Sequence, residues 1–281
     1  MRRSIKILKI YSVVFAVLTV LAIVLRCLSL FNFYDSDIGY YRTEAILPDI
    51  FHLISVLVPI LAFSLLFLME RPIIWRYQHP KPEYAAVRAG AVFGIAAIAS
   101  YVIYDLIALS GEFRNVIGSI QSTKAGEIVC LLALLFGLLG IVYFALILAG
   151  KTSKGDKHVL FGYAVILFVL MVLANTYFDF YTTMNSPNKL LTQVTLMSVM
   201  LYFLYELRFS LGNEAPRSYA AVSLAALYFT SVSSVPGIIA FFAGVLTKTE
   251  YLLCDFVALG FAFYICSRLV SYIVSQKIKR N

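Results

Sequence analysis

The stretch LKIYSVVFAVLTVLAIVLRCLSLF, residues 8–31, decides the architecture, because only Lys9 and Arg26 carry charge within it. A helix rises about 1.5 Å per residue and a hydrocarbon core is roughly 30 Å thick, so about twenty apolar residues span it. The run is longer than the apolar region of a secretory signal and has no small-x-small cleavage site, which reads as a first span and not a removed leader. Working outward, seven further runs of this kind lie at 50–69, 87–109, 127–149, 158–179, 190–211, 219–245 and 251–274. The expected fold is all-α, a polytopic transmembrane helical bundle of about eight spans, with residues 1–281 forming a single integral membrane domain.

Composition agrees with that expectation. Apolar residues make up 61% of the chain and charged residues 14%, whereas a soluble domain sits near a half and a quarter. The segments between spans are short, which leaves no room among them for a separate soluble catalytic domain.

The net charge of +8 is distributed as membrane topology requires. Sixteen of the 23 Lys and Arg fall in 1–9, 70–88, 150–157, 206–217 and 275–281, against five in the alternate loops: Arg42, Arg114, Lys124, Lys189 and Lys248. Basic residues are retained on the cytoplasmic side, so the asymmetry predicts that both termini are cytoplasmic. A nucleic-acid partner is not expected, since that would gather the charge on one soluble face. The first expected partner is the lipid bilayer. In RPIIWRYQHPKP, residues 71–82, Trp75 and Tyr77 stand among basic residues, a composition suited to anionic headgroups. Short lysine-rich loops fit a bacterial plasma membrane.

No catalytic, metal or cofactor signature appears. The four cysteines, Cys27, Cys130, Cys254 and Cys266, form no Cys-x-x-Cys pair and read as small packing residues. His52 falls on the opposite side of the membrane from His79 and His158, so the three cannot share one metal or haem. There is no zinc-protease helix motif, phosphate loop or nucleophile elbow.

The two halves, 1–150 and 156–281, echo one another in order. Phe33-Tyr34-Asp35 answers Tyr177-Phe178-Asp179. Leu53-Ile54-Ser55-Val56 answers Leu196-Met197-Ser198-Val199, and Tyr84-Ala85-Ala86-Val87 answers Tyr219-Ala220-Ala221-Val222. A duplication of two parallel four-helix halves would leave this pattern, as would unrelated halves of similar composition.

Some residues are expensive to keep in hydrocarbon. An ionisable group inside a span costs a few kcal/mol by insertion scales and marks a candidate functional site. Arg26, Asp105, Asp179 and Asp255 all fall in the outer third of their spans. Tyr101, Tyr104 and Asp105 share one helical face, and Asn175 shares another with Asp179, each related by three or four positions. A carboxylate with aromatic neighbours holds a cationic or zwitterionic small molecule through charge pairing and cation–π contact. The same residues also read as an ion-pair network in which Arg26 staples the helices without any ligand.

The seventh span carries Thr230-Ser231-Val232-Ser233-Ser234-Val235-Pro236-Gly237. Pro236 has no amide hydrogen, so a carbonyl about one turn earlier loses its partner. In hydrocarbon that carbonyl must be satisfied from elsewhere. Ser233 and Ser234 therefore join the candidate ligand-binding set of Arg26, Tyr101, Tyr104, Asp105, Asn175, Asp179 and Asp255. Close packing of small residues explains the same pattern equally simply. Pro59 is expected to kink the second span. Glu206, Arg208 and Arg268, near the cytoplasmic ends, read as solvated or locally paired. The tyrosine-rich acidic loop at 31–49 reads as an interfacial anchor, with a roof over a binding site as the other reading.

The leading expectation is a small-solute transporter or substrate-binding membrane subunit with an outward-facing acidic and aromatic pocket. The alternative is a non-transporting accessory, assembly or sensory protein that binds a membrane protein partner through its helices. An intramembrane enzyme of unfamiliar type comes third.

Overall fold

The computed structural model describes residues 2–36, 38–42, 45–69, 85–109, 124–150, 157–178, 185–211 and 215–278. Among the described residues, eight helices are long and apolar enough to cross a membrane, in the order read from the sequence. They are α1 (Arg2–Phe33), α2 (Ile46–Phe63) continued by a single turn α3 (Leu65–Leu68), α4 (Ala85–Leu109), α5 (Lys124–Leu148), α6 (Lys157–Tyr177), α7 (Pro187–Ser210), α8 (Pro216–Phe242) and α9 (Thr249–Ile278). An even number of crossings returns the chain to the end where it began. That end is called here the terminal end, and the opposite one the far end.

Helices α4 to α9 each pack on the next, and α9 closes the circle against α4. Helices α1 and α2 pack on one another and on α8, so α8 has neighbours on four sides. Within their most apolar windows, 61% of the residues of α8 and of α9 are buried, against 22% for α2. The core of the bundle is therefore α8 and α9, while α2 lies on its outside.

The tightest seam is α4 against α9, and glycine makes it possible. A Cβ on Gly260 would stand 2.7 Å from the Phe93 carbonyl oxygen, and one on Gly90 would overlap Ser267. Lipid tails are as apolar as leucine, so close backbone approach through small residues is what draws such helices together. In the terminal half the circle is filled by rings. Phe144 and Tyr264 lie 4.9 Å apart and Phe203 and Phe261 5.3 Å apart, in edge contact.

The second span departs from expectation in where it breaks. Pro59 sits inside α2, and the interruption comes later, at Ser64. There one amide is shared between the Ile60 and Leu61 carbonyls at 3.2 Å each. The Ser64 hydroxyl bonds back to Leu61 at 2.7 Å and lies 2.8 Å from the Tyr11 hydroxyl of α1. A serine competing with the backbone for a carbonyl bends helices in this way. At the far end, a two-stranded hairpin that the sequence reading did not foresee joins α1 to α2. In it β1 (Tyr34–Asp35) pairs antiparallel with β2 (Tyr40–Tyr41). Its turn needs Gly39, at φ 78°, a left-handed conformation that glycine adopts without strain.

Candidate functional site

The site begins with the carbonyls that Pro236 leaves behind. In a regular helix the residue at 236 would donate to Val232, and Pro236 cannot. Arg26 of α1 fills the gap. Its Nη1 donates to the Val232 and Ser233 carbonyl oxygens at 2.6 Å each, and Nη2 donates to Asn188 Oδ1 at 3.2 Å. One guanidinium thus ties α1 to α8 and α7. This geometry corrects the expected pairing of Arg26 with a carboxylate. Among the described residues, no acid lies within ion-pairing distance of it, because its forked donors are already committed to carbonyl groups.

Asp255 approaches from α9. Its Oδ1 accepts from Ser233 Oγ at 3.1 Å, and it is buried, with Arg26 near enough to act on its charge. A Cβ at Gly237 would overlap the Asp255 carboxylate, so the glycine after the proline is what admits this side chain.

Arg26, Asn188 and Asp255 line a cavity of ≈ 190 Å³ at the far end. Ser186, Thr192, Lys248 and Tyr251 complete its walls, and Tyr34 of the hairpin lies across it. Three groups on this wall are buried yet make no hydrogen bond: Arg26 Nε, Asn188 Nδ2 and Ser186 Oγ. Tyr34 faces both Asn188 and Ser186 without completing a bond to either of those atoms. Burial pushes the Tyr34 hydroxyl above the usual tyrosine range, and Asn188 and Arg26 draw it partly back. Tyr41, edge-on to Tyr34 at 5.6 Å, is likewise raised by burial and lowered by the Arg26 charge. Of the described part of the 31–49 loop, Tyr34, Ser36, Ile38 and Gly39 line the cavity.

The remaining site residues from the sequence divide. Tyr101, Tyr104 and Asp105 share a face of α4 as expected, but they form a separate polar group away from this cavity. Asp105 is buried, meets the Cys130 thiol of α5, and leaves Oδ2 without a hydrogen bond. Asn175 donates to the Tyr101 hydroxyl at 3.1 Å. Ser234 is buried, donates to the Thr230 carbonyl at 2.6 Å, and does not line the cavity. Its hydroxyl serves its own helix, where a backbone acceptor lies one turn away. Asp179 lies outside the described residues, as do 71–82. Among the described residues, no three His, Cys, Asp or Glu side chains gather closely enough to hold a metal ion.

Sequence reasoning missed Asn188 and Ser186. The signal was present in Ser186-Pro187-Asn188, a polar helix start with proline at the first turn, at the depth of Arg26. It also misjudged the opposite end. Glu206 and Arg268 are buried, not solvated, and they pair across α7 and α9. Arg268 Nε donates to Glu206 Oε1 at 2.6 Å and Nη2 donates to the same oxygen. Tyr202 donates to Glu206 Oε2 at 3.3 Å, and the guanidinium lies 5.8 Å from the centre of the Tyr264 ring.

No protein-family model, curated protein or solved structure matches the chain.

Proposed function

We propose that this multi-pass membrane protein binds a small zwitterionic solute in the far-end cavity, as a transporter or as the substrate-binding subunit of one. The observation that carries the reading is one cavity at which Arg26 Nε, Asn188 Nδ2 and Ser186 Oγ are buried without a hydrogen bond of normal geometry, with the Tyr34 and Tyr41 hydroxyls close to them. A buried donor left unsatisfied costs about 1–3 kcal/mol. A carboxylate or phosphate oxygen entering the cavity would satisfy two or three of them at once. Asp255 on the α9 wall would receive the cationic end of the same molecule, with Tyr34 and Tyr251 beside it. The excess of Lys and Arg in the loops of the terminal end favours an outward orientation for the cavity. The aromatic filling and the Glu206–Arg268 pair favour a form closed toward the other side.

The test is binding of amino-acid and phospho-amine zwitterions to the purified protein by calorimetry, with Asn188→Ala as the comparison. Losing one hydrogen bond to a charged ligand is expected to weaken binding about tenfold to a hundredfold, read on variant protein that still melts cooperatively, because Asn188 Oδ1 also accepts from Arg26 Nη2. Equal affinity in the parent and the variant would remove the cavity from consideration.

A further inference from the structure

A second hollow on the same two helices narrows the class of ligand. Below the cavity an apolar groove of ≈ 460 Å³ runs between α1 and α9, with α8 as its floor. Helices α1 and α9 barely touch, and the gap between them is this groove. Its α1 wall includes Ala16, Thr19 and Ile23, and its α9 wall includes Leu259, Ala262 and Cys266. Positions three and four apart share a helical face. On α1 the stripe therefore continues from Thr19 and Ile23 to Arg26. On α9 it runs back from Ala262 and Leu259 to Asp255. Arg26 and Asp255 both line the cavity, from α1 and α9, together with Lys248. The polar cavity thus stands at the head of the apolar groove.

Resting on the reading of the cavity as a ligand site, we propose that its ligand is a single-chain amphiphile. Its zwitterionic headgroup occupies the cavity and its hydrocarbon chain lies in the groove. Charge complementarity selects this occupant. The phosphate of a phosphoethanolamine-type headgroup supplies acceptors to Arg26 Nε, Asn188 Nδ2 and Ser186 Oγ, and its ammonium meets Asp255. A partner helix seated in the same groove would bring a backbone that is already bonded internally, so nothing in its main chain would meet those donors.

Cys266 is exposed and lines the groove, so its alkylation by N-ethylmaleimide, followed by peptide mass spectrometry, reports chain occupancy. The full chain in a mild detergent would be tested with myristoyl lysophosphatidylethanolamine, with glycerophosphoethanolamine as the chain-free headgroup, and with myristyl alcohol as the headgroup-free chain. The lysolipid is expected to slow Cys266 alkylation about tenfold at about ten times its Kd. The alcohol and the chain-free headgroup leave the rate unchanged, and Asn188→Ala cuts the protection by the lysolipid at that concentration to about twofold or less. Calorimetric binding of the chain-free headgroup, with no protection of Cys266 by the lysolipid, would overturn the amphiphile and leave a soluble-zwitterion site. Equal protection by the alcohol and the lysolipid would overturn the headgroup's part, and with it this ligand's use of the cavity; this arm needs no variant to fold. Absence of binding by any of the three would overturn both readings.

Discussion

Arg26 and Pro236 form one structural unit although 210 positions separate them. The proline removes the amide that would bond Val232, and the arginine supplies the replacement from another helix. Each half makes sense only with the other. Replacing Arg26 by Met leaves the carbonyl orphaned in a low-dielectric interior, and a destabilisation of about 2–4 kcal/mol is expected from two lost charge-assisted hydrogen bonds. In a Pro236→Ala background the helix provides its own donor, and the cost of Arg26→Met should fall by about 1–2 kcal/mol. The two single variants and the double, unfolded in detergent under one protocol, decide the matter; strictly additive losses would mean that the proline and the arginine are independent. The orphan carbonyl was legible in the sequence, because it follows from proline chemistry alone. Its partner was not. The sequence gives Arg26 a depth but no direction, and three aspartates at similar depth made an ion pair the obvious guess. Only the packing of α1 on α8 brings the carbonyls closer to it than any carboxylate.

The same distinction holds for whole helices. All eight spans can be read from their length and apolarity, since the bilayer sets one and the cost of burying charge sets the other. Which span touches which cannot. In hydrocarbon both the lipid-facing and the protein-facing sides of a helix are apolar, so periodicity carries little information about the buried face. The closure of α9 on α4 rests on a subtler feature, the absence of side chains at Gly90 and Gly260. Gly260→Leu places a branched side chain where the Phe93 carbonyl and Ala97 now stand. It is expected to destabilise the bundle by about 1–3 kcal/mol through overpacking. A melting temperature equal to the parent's would show that the α4–α9 seam can widen without cost. The hairpin at Tyr34–Tyr41 belongs with these tertiary features. Its tyrosines gave no sequence sign of whether they face the membrane surface or the cavity.

Across the whole molecule the two ends are built on opposite principles. Among the described residues, the far end holds a polar cavity, whereas the terminal half is filled by aromatic rings around the Glu206–Arg268 pair. Breaking a buried pair by removing one member costs about 3–5 kcal/mol, because the survivor is left charged and alone, while replacing both by apolar residues is often neutral. Glu206→Gln is therefore expected to destabilise strongly, and Glu206→Leu with Arg268→Met to recover most of the loss. Function separates two roles for the pair. A staple between α7 and α9 serves equally well when made of hydrocarbon, so, under the proposed transport function, the double variant would regain stability and solute flux together. A pair that must part for solute to leave at the terminal end is different, because a permanently apolar seam no longer exchanges one state for the other. In that case the double variant melts like the parent and binds solute at the far end, yet carries none across a proteoliposome membrane. Parental flux in the stable double variant would assign the pair to architecture alone.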